Sequence, residues 1–254
     1  MTKWIWRGLR TGVKTTSYPW SPELASGVSP GRPLGSRGGD KSKLLIERCL
    51  TGALGLTGDR IGIDYRRCVH CFRCRRGADS AVGWQTGYEW GTREAARDDD
   101  RASLDEAFQR SLHIRVVDCG ACGACMSEIE QINKPYYNMH RLGFFLTPTP
   151  RMADVLLLAG PLTEHMRHPL TRVYDAMPTP KRVIAVGTCA ISGGPFGPSF
   201  ASNSGVTEVV PVDVFVPGCP PPPLAIIHAL LLLVGRTVPS SLDSVRPQEE
   251  RVTP

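Results

Sequence analysis

The chain has 254 residues, 41% of them hydrophobic and 21% charged, which is enough apolar content for a packed core and argues against global disorder. Its formal net charge of +6 is divided unevenly: residues 1–76 hold 15 Lys/Arg against 5 Asp/Glu, a net of +10, and residues 77–254 hold 15 against 19, a net of −4. The longest apolar run, residues 224–234, is interrupted by His228 and falls short of the roughly 20 residues a membrane-spanning helix needs. The opening MTKWIWRGLR carries charge but neither a signal-peptide apolar core nor a twin-arginine pair, so the chain is expected to stay in the cytoplasm.

Residues 1–43 are rich in Pro, Gly and Ser with scattered Trp (SYPWSPELASGVSPGRPLGSRGGD) and read as an extended basic arm that orders on a partner. Trp4, Trp6 and Trp20 are costly to leave in water, which favours such a partner. Residues 44–78 form a compact cysteine-bearing segment. Residues 79–110 lack apolar periodicity until a short polar helix, SLDEAFQR, with Ser103 as its cap and Glu106 three residues on; they read as a linker. From 111 to 240 the texture changes. Apolar runs at 113–117, 142–146, 155–159, 183–186 and 212–216 alternate with stretches of helical length at 125–133, 162–177 and 223–234. Buried runs alternating with helices predict an α/β domain on a flavodoxin-like, doubly wound parallel sheet. Residues 241–254 are a tail.

Nine cysteines in a cytoplasmic chain do not read as a disulfide framework, and an odd number cannot all pair internally. Metal ligation is the leading reading, since thiolates are soft ligands suited to iron–sulfur clusters or zinc. Three predicted strands run directly into thiols: HIRVV into Asp118-Cys119-Gly-Ala-Cys122-Gly-Ala-Cys125, VIAV into Gly187-Thr188-Cys189, and VDVFV into Pro217-Gly218-Cys219. The carboxyl ends of such strands are where open α/β sheets bind their ligands. Flanking Gly and Ala let the backbone approach a bulky inorganic core, and peptide N–H groups there can hydrogen-bond to its sulfides. Four thiolates spread over roughly a hundred residues around a sheet edge match no zinc ribbon spacing, so a 4Fe–4S cluster fits better.

At these residues a family resemblance is reached. The stretches SLHIRVVDCGACGACMSEIE, HRLGFFLTPTPRMADVLLLAGPLT, AVGTCAISGG and VPVDVFVPGCPPPP span about half the chain, in order. They resemble the small, electron-transferring subunit of membrane-bound nickel–iron hydrogenases of the formate-hydrogenlyase and energy-converting type, and are similarly related to the complex I subunit that carries its terminal cluster. The resemblance implies that Cys122, Cys125, Cys189 and Cys219 hold a proximal 4Fe–4S cluster. Complex I has adjacent cysteines where hydrogenases have Cys-x-x-Cys; Cys122-Gly-Ala-Cys125 is the hydrogenase form. Cys119 makes a second Cys-x-x-Cys with Cys122, but Glu128 matches the family's Cys-x-x-Cys-x-x-Glu and sets the register, leaving Cys119 a spare thiol. Glu128 admits two readings, a proton-relay carboxylate or an acid stabilised by the dipole at a helix N-terminus. His140, His165 and His168 read as surface or packing residues.

A second group, Cys68-x2-Cys71-x2-Cys74, resembles the first part of a bacterial ferredoxin motif whose own fourth thiol would stand at Ala78. Cys49, in Arg-Cys-Leu-Thr-Gly-Ala, resembles the end of a preceding run, with Leu50 where ferredoxins place proline. In two-cluster ferredoxins the fourth thiol of one run ligates the other cluster, so the resemblance closes a second 4Fe–4S site from Cys49, Cys68, Cys71 and Cys74. Zinc on the same four thiols is the alternative.

Together these resemblances imply a ferredoxin-like segment fused ahead of a hydrogenase small subunit, with two 4Fe–4S clusters and no catalytic centre of its own. The expected partners are a hydrogenase-like large subunit and further iron–sulfur and integral membrane subunits, in a hetero-oligomer held peripherally at the cytoplasmic face of the membrane. Nucleic acid is not expected, because no helix-turn-helix, RNP-like or finger spacing accompanies the basic residues. One rival is a quinone-linked complex I relative without nickel; another is a stand-alone redox sensor or carrier that binds DNA or a regulator through the basic arm.

Overall fold

A computed structural model describes residues 3–23, 25, 27–35, 42–76, 82–94, 108 and 110–237. In chain order these form α1 (Lys3–Thr11), β1 (Arg32–Leu34), α2 (Ser42–Glu47), β2 (Leu54–Thr57), β3 (Arg60–Ile63), β4 (Gly83–Gln85), β5 (Thr92–Arg93), β6 (Leu112–Asp118), α3 (Ala124–Gln131), β7 (Phe144–Leu146), β8 (Val155–Ala159), α4 (Glu164–Asp175), β9 (Arg182–Val186), α5 (Thr188–Ser192), β10 (Val214–Val216) and α6 (Pro223–Leu233).

Every residue of β8, β9 and β10 is buried, as continuous apolar runs require when both faces of a sheet are covered. These strands lie in a six-stranded sheet of order β7-β6-β8-β9-β10-β5, parallel except for β5. Counted from β6, the parallel strands run 2-1-3-4-5, the flavodoxin-like order, so the α/β expectation holds. Ile114, Leu157, Ile184 and Val216 point to one face, packed by Ile129 of α3 and by α6, apolar but for His228. Leu156, Leu158, Ala185 and Phe215 point to the other, packed by Leu170 of α4 and Ile191 of α5. The alternation puts each strand's carboxyl end between two helical layers.

Two strands start later than their apolar runs. Residues Met139–Leu142 wind into a 3-10 turn closed by Gly143 at φ +83°, delaying β7 to Phe144. Asp213 interrupts the run before β10: its carboxylate accepts the Val183 N–H at 2.8 Å and faces Arg182 at 3.4 Å.

The segment read as a linker is partly built into the sheets. β4 pairs antiparallel with β1, and β5 pairs antiparallel with β10 at the edge of the main sheet. Residues 88–93 also lie across α6, where the Gly91 N–H donates to His228 Nδ1 at 3.3 Å and Arg93 donates to the Leu232 carbonyl. Most of the expected helix at 103–110, and the tail 241–254, fall outside the described residues.

The arm also departs from an extended segment awaiting a partner. Its first turns form α1, and its middle packs on the chain itself: Tyr18 is buried edge-on against Tyr88, and its hydroxyl donates to Glu89 at 2.9 Å. The Thr16 N–H and Thr15 Oγ1 donate to the carbonyls of Tyr136 and Pro135. Trp4, Trp6 and Trp20 stay 72%, 64% and 71% exposed.

Candidate cluster-binding sites

The first group of thiols assembles from three strand ends. Beyond β6, Asp118 Oδ1 accepts the N–H groups of Gly120 and Ala121 at 2.8 and 2.6 Å, turning the chain so that Cys122 precedes α3 and Cys125 lies in its first turn. Gly187 follows β9 at φ +89° and opens the short α5 that carries Cys189; Gly218 follows β10 at φ +138° and precedes Cys219. A methyl group on Gly187 would lie 2.5 Å from Cys125 Sγ, and one on Gly194 would lie 2.7 Å from Cys189 Sγ. Only glycine leaves these sulfurs their space. The contact also shows that Cys125, on one strand's loop, abuts the loop that delivers Cys189.

Electrostatic coupling links these thiols. Cys189 donates its S–H to Cys219, which pushes the Cys189 thiol up and draws Cys219 down. Burial, then Cys219, Cys122 and Glu128, push Cys125 up to about 12. Such crowding of would-be anions is relieved when a cation takes their protons' place, as metal binding to thiols does. Glu128, on α3, is half-buried, and burial raises its carboxyl above the usual range. Cys119 lies fully buried in the opposite apolar layer with Ala153 and Leu158, its thiol pushed up to about 12 by burial and Asp118. His140, His165 and His168 are exposed.

The second group surrounds a cavity lined by Cys49, Cys68, Cys71 and Cys74. The β2–β3 hairpin supports it: Leu54, Ile61 and Ile63 pack with Leu45 and Val82 beneath Cys49, Cys68 and Cys74. Burial pushes Cys68 up to about 12, the His70 N–H partly offsetting this and the three neighbouring thiols adding to it. Burial also raises Cys49, but hydrogen bonds from Thr51, Ala53 and Leu54 outweigh it and favour the thiolate. His70 stands in the cavity wall, and burial and then Arg32 hold its ring well below the usual imidazole range, at about 4.

The two groups are tied together. Thr188, the residue before Cys189, donates its hydroxyl to the carbonyl of Cys68 at 3.0 Å and reaches the Gly218 carbonyl at 3.2 Å. One turn on, Ser192 Oγ donates to the Arg66 carbonyl at 2.8 Å. Arg66 itself lies over the Phe215 ring at 4.6 Å and pairs with Glu94 at 2.7 Å. Sequence reasoning missed Thr188, Ser192 and His70; the one signal for Thr188 was its place beside Cys189 in Gly187-Thr188-Cys189.

Each candidate set offers four thiols, the soft donors that iron–sulfur clusters use, with the Glu128 carboxyl beside the first and His70 in the wall of the second. Among the described residues, no three ligand-type side chains close on a point as they would around a single ion. At the first site Gly187 and Gly194 leave the sulfurs of Cys125 and Cys189 unobstructed, and at the second the four thiols line one cavity.

Residues 122–233 match the model of the family described as NADH ubiquinone oxidoreductase, 20 Kd subunit. A probable membrane-bound hydrogenase subunit, mbhJ, of Pyrococcus furiosus is 38% identical over 148 residues, covering 58% of this chain and 89% of that one. The chain belongs to this family. Formate hydrogenlyase subunit 7 of Escherichia coli is 39% identical over 135 residues, 53% of each chain, so about half of that relative's length is spanned. Among solved structures, a chain of the membrane-bound sulfane sulfur reductase, an archaeal respiratory membrane complex, aligns with TM-score 0.47 and 28% identity over 52% of this chain and 73% of that one. The family match begins at Cys122, so the N-terminal cysteine group lies outside it.

Proposed function

We propose that this chain is an electron-transfer subunit of a membrane-associated nickel–iron hydrogenase-like complex, relaying electrons through two 4Fe–4S clusters to or from the active site of a separate large subunit. One observation carries the reading: thiols from three strand ends converge in a member of a family whose relatives include hydrogenase and formate hydrogenlyase subunits.

A bound 4Fe–4S cluster supplies reversible one-electron storage. The chain's own residues do the rest. Cys122, Cys125, Cys189 and Cys219 would hold the first cluster, and Cys49, Cys68, Cys71 and Cys74 the second. Gly187 and Gly194 keep space beside the sulfurs. Apolar layers exclude water from Cys125 and Cys189, which matters because burial and hydrogen bonds to sulfur tune a cluster. Thr188 fixes the Cys68 backbone against the turn that bears Cys189, so that the two sites keep a constant separation. Glu128 lies close to Cys125 with its proton affinity raised by burial, which supports a relay role.

Among the described residues no helix is long and apolar enough to cross a membrane. Peripheral attachment at the cytoplasmic face is supported by α1, which exposes Trp4, Trp6 and Leu9 beside Lys3, Arg7 and Arg10. Integral membrane subunits would be further partners. The quinone-linked reading draws support from the description of the matched family; Cys122-x-x-Cys125 stands against it.

The test is iron, sulfide, nickel and zinc analysis of the complex purified through this chain. About eight irons assignable to this subunit, with nickel in the complex, is the expected result. Iron without nickel moves the assignment to the quinone-linked relative, and zinc replacing half the iron overturns the second cluster.

A further inference from the structure

We propose that His70 is a positioning residue of the second thiol site, its ring N–H donating to a sulfur of the bound cluster and thereby raising that cluster's reduction potential. The inference rests on the ferredoxin-like reading above and deepens it.

His70 is 8% exposed, and neither Nδ1 nor Nε2 has a hydrogen-bond partner. Burying an unsatisfied polar group costs about 1–3 kcal/mol, and a Phe or Leu would fill the same volume without that cost. The imidazole is therefore out of place as mere packing. Its surroundings say what it serves. His70 is one of the residues that line the cavity bounded by Cys49, Cys68, Cys71 and Cys74. The backbone holds it there in the left-handed region, at φ +51°, uncommon for a residue with a side chain. The buried Trp90 meets the ring edge-on, with centroids 5.2 Å apart and planes at 83°, which restricts how it can turn.

The chemistry then selects the acceptor. A neutral imidazole presents one N–H and one lone pair, and the thiolate and sulfide sulfurs of a cluster are acceptors. A donor aimed at those sulfurs favours the reduced, more negative state, so its presence raises the potential and its removal lowers it.

The experiment uses the full chain loaded with both clusters and compares His70→Phe, His70→Asn and Cys68→Ser, reading iron and sulfide content and an EPR-monitored redox titration. Cys68→Ser identifies the second cluster's signal by weakening or removing it. His70→Phe is expected to keep the parent iron content while the second cluster binds its electron about tenfold less favourably, about 59 mV lower for one electron. His70→Asn keeps a donor and is expected to recover most of the difference. A parent-like potential in His70→Phe at full iron content overturns the proposal. So does loss of about four irons in both His70 variants, which would make the ring a ligand or a structural wedge. If Cys68→Ser changes neither iron content nor signal, the second cluster itself is absent, and that result overturns the ferredoxin-like reading along with the role of His70.

Discussion

The contact between Gly187 and Cys125 Sγ makes a single hydrogen-for-methyl exchange a direct probe of the first site. Gly187→Ala places a Cβ 2.5 Å from the sulfur and forces a side chain into φ +89°, a strain on the order of 1–3 kcal/mol. We expect the purified variant to fall from about eight irons to about four, with the second site still loaded. Glu128 gives a pH test. Because burial raises its carboxyl in the folded chain, the native state binds more protons than the unfolded one from the ordinary carboxylate range up to the raised value. Stability contributed by Glu128 therefore falls as pH rises through that window. Glu128→Gln should flatten this slope in denaturant unfolding followed across pH, and an unchanged slope would remove Glu128 as its source. At this scale the cysteines and their glycines were legible, because thiol spacing and small neighbours are local. Thr188 and His70 were not: the Thr188 bond to Cys68 spans 120 residues, and the unsatisfied ring of His70 is a property of its surroundings.

The parallel strands were readable from their apolar runs, continuous in β8 and β10 as in a strand covered on both faces, and broken in β6 by His113 and Arg115. β4 and β5 were not. They are three and two residues long, sit in polar company, and gain their conformation from the strands they pair with. The turn α5 is the element that joins the two thiol sites, and its first residue is testable. Thr188→Val removes the donor to Cys68 and Gly218 from a buried position, a loss of about 1–3 kcal/mol. Hydrogen exchange should quicken at residues 66–70 while β8 and β9 keep their protection. Equal protection loss throughout would mean that Thr188 supports the whole sheet rather than the junction.

At the scale of the whole molecule, the basic N-terminus begins with a helix that the rest of the chain does not cover. α1 buries none of its residues, yet it carries two tryptophans and Leu9 beside three basic side chains. Such a helix suits an anionic bilayer surface, where each basic residue contributes about 1 kcal/mol. In flotation assays the full chain should bind vesicles containing anionic lipid more than neutral ones, and Trp4→Ser with Trp6→Ser should weaken that binding at unchanged iron content. Equal binding by the parent and the double variant would separate α1 from membrane attachment.

β5 carries a consequence for any shortened form of this chain. It occupies the open side of β10, the strand that delivers Cys219, and residues 88–93 shield α6. A chain begun at residue 111 would leave β10 with a bare rim of backbone N–H and C=O groups and expose the apolar back of α6, a template for another strand. Two such chains would meet edge to edge, so the shortened form should self-associate through β10, an edge that β5 covers in the longer polypeptide.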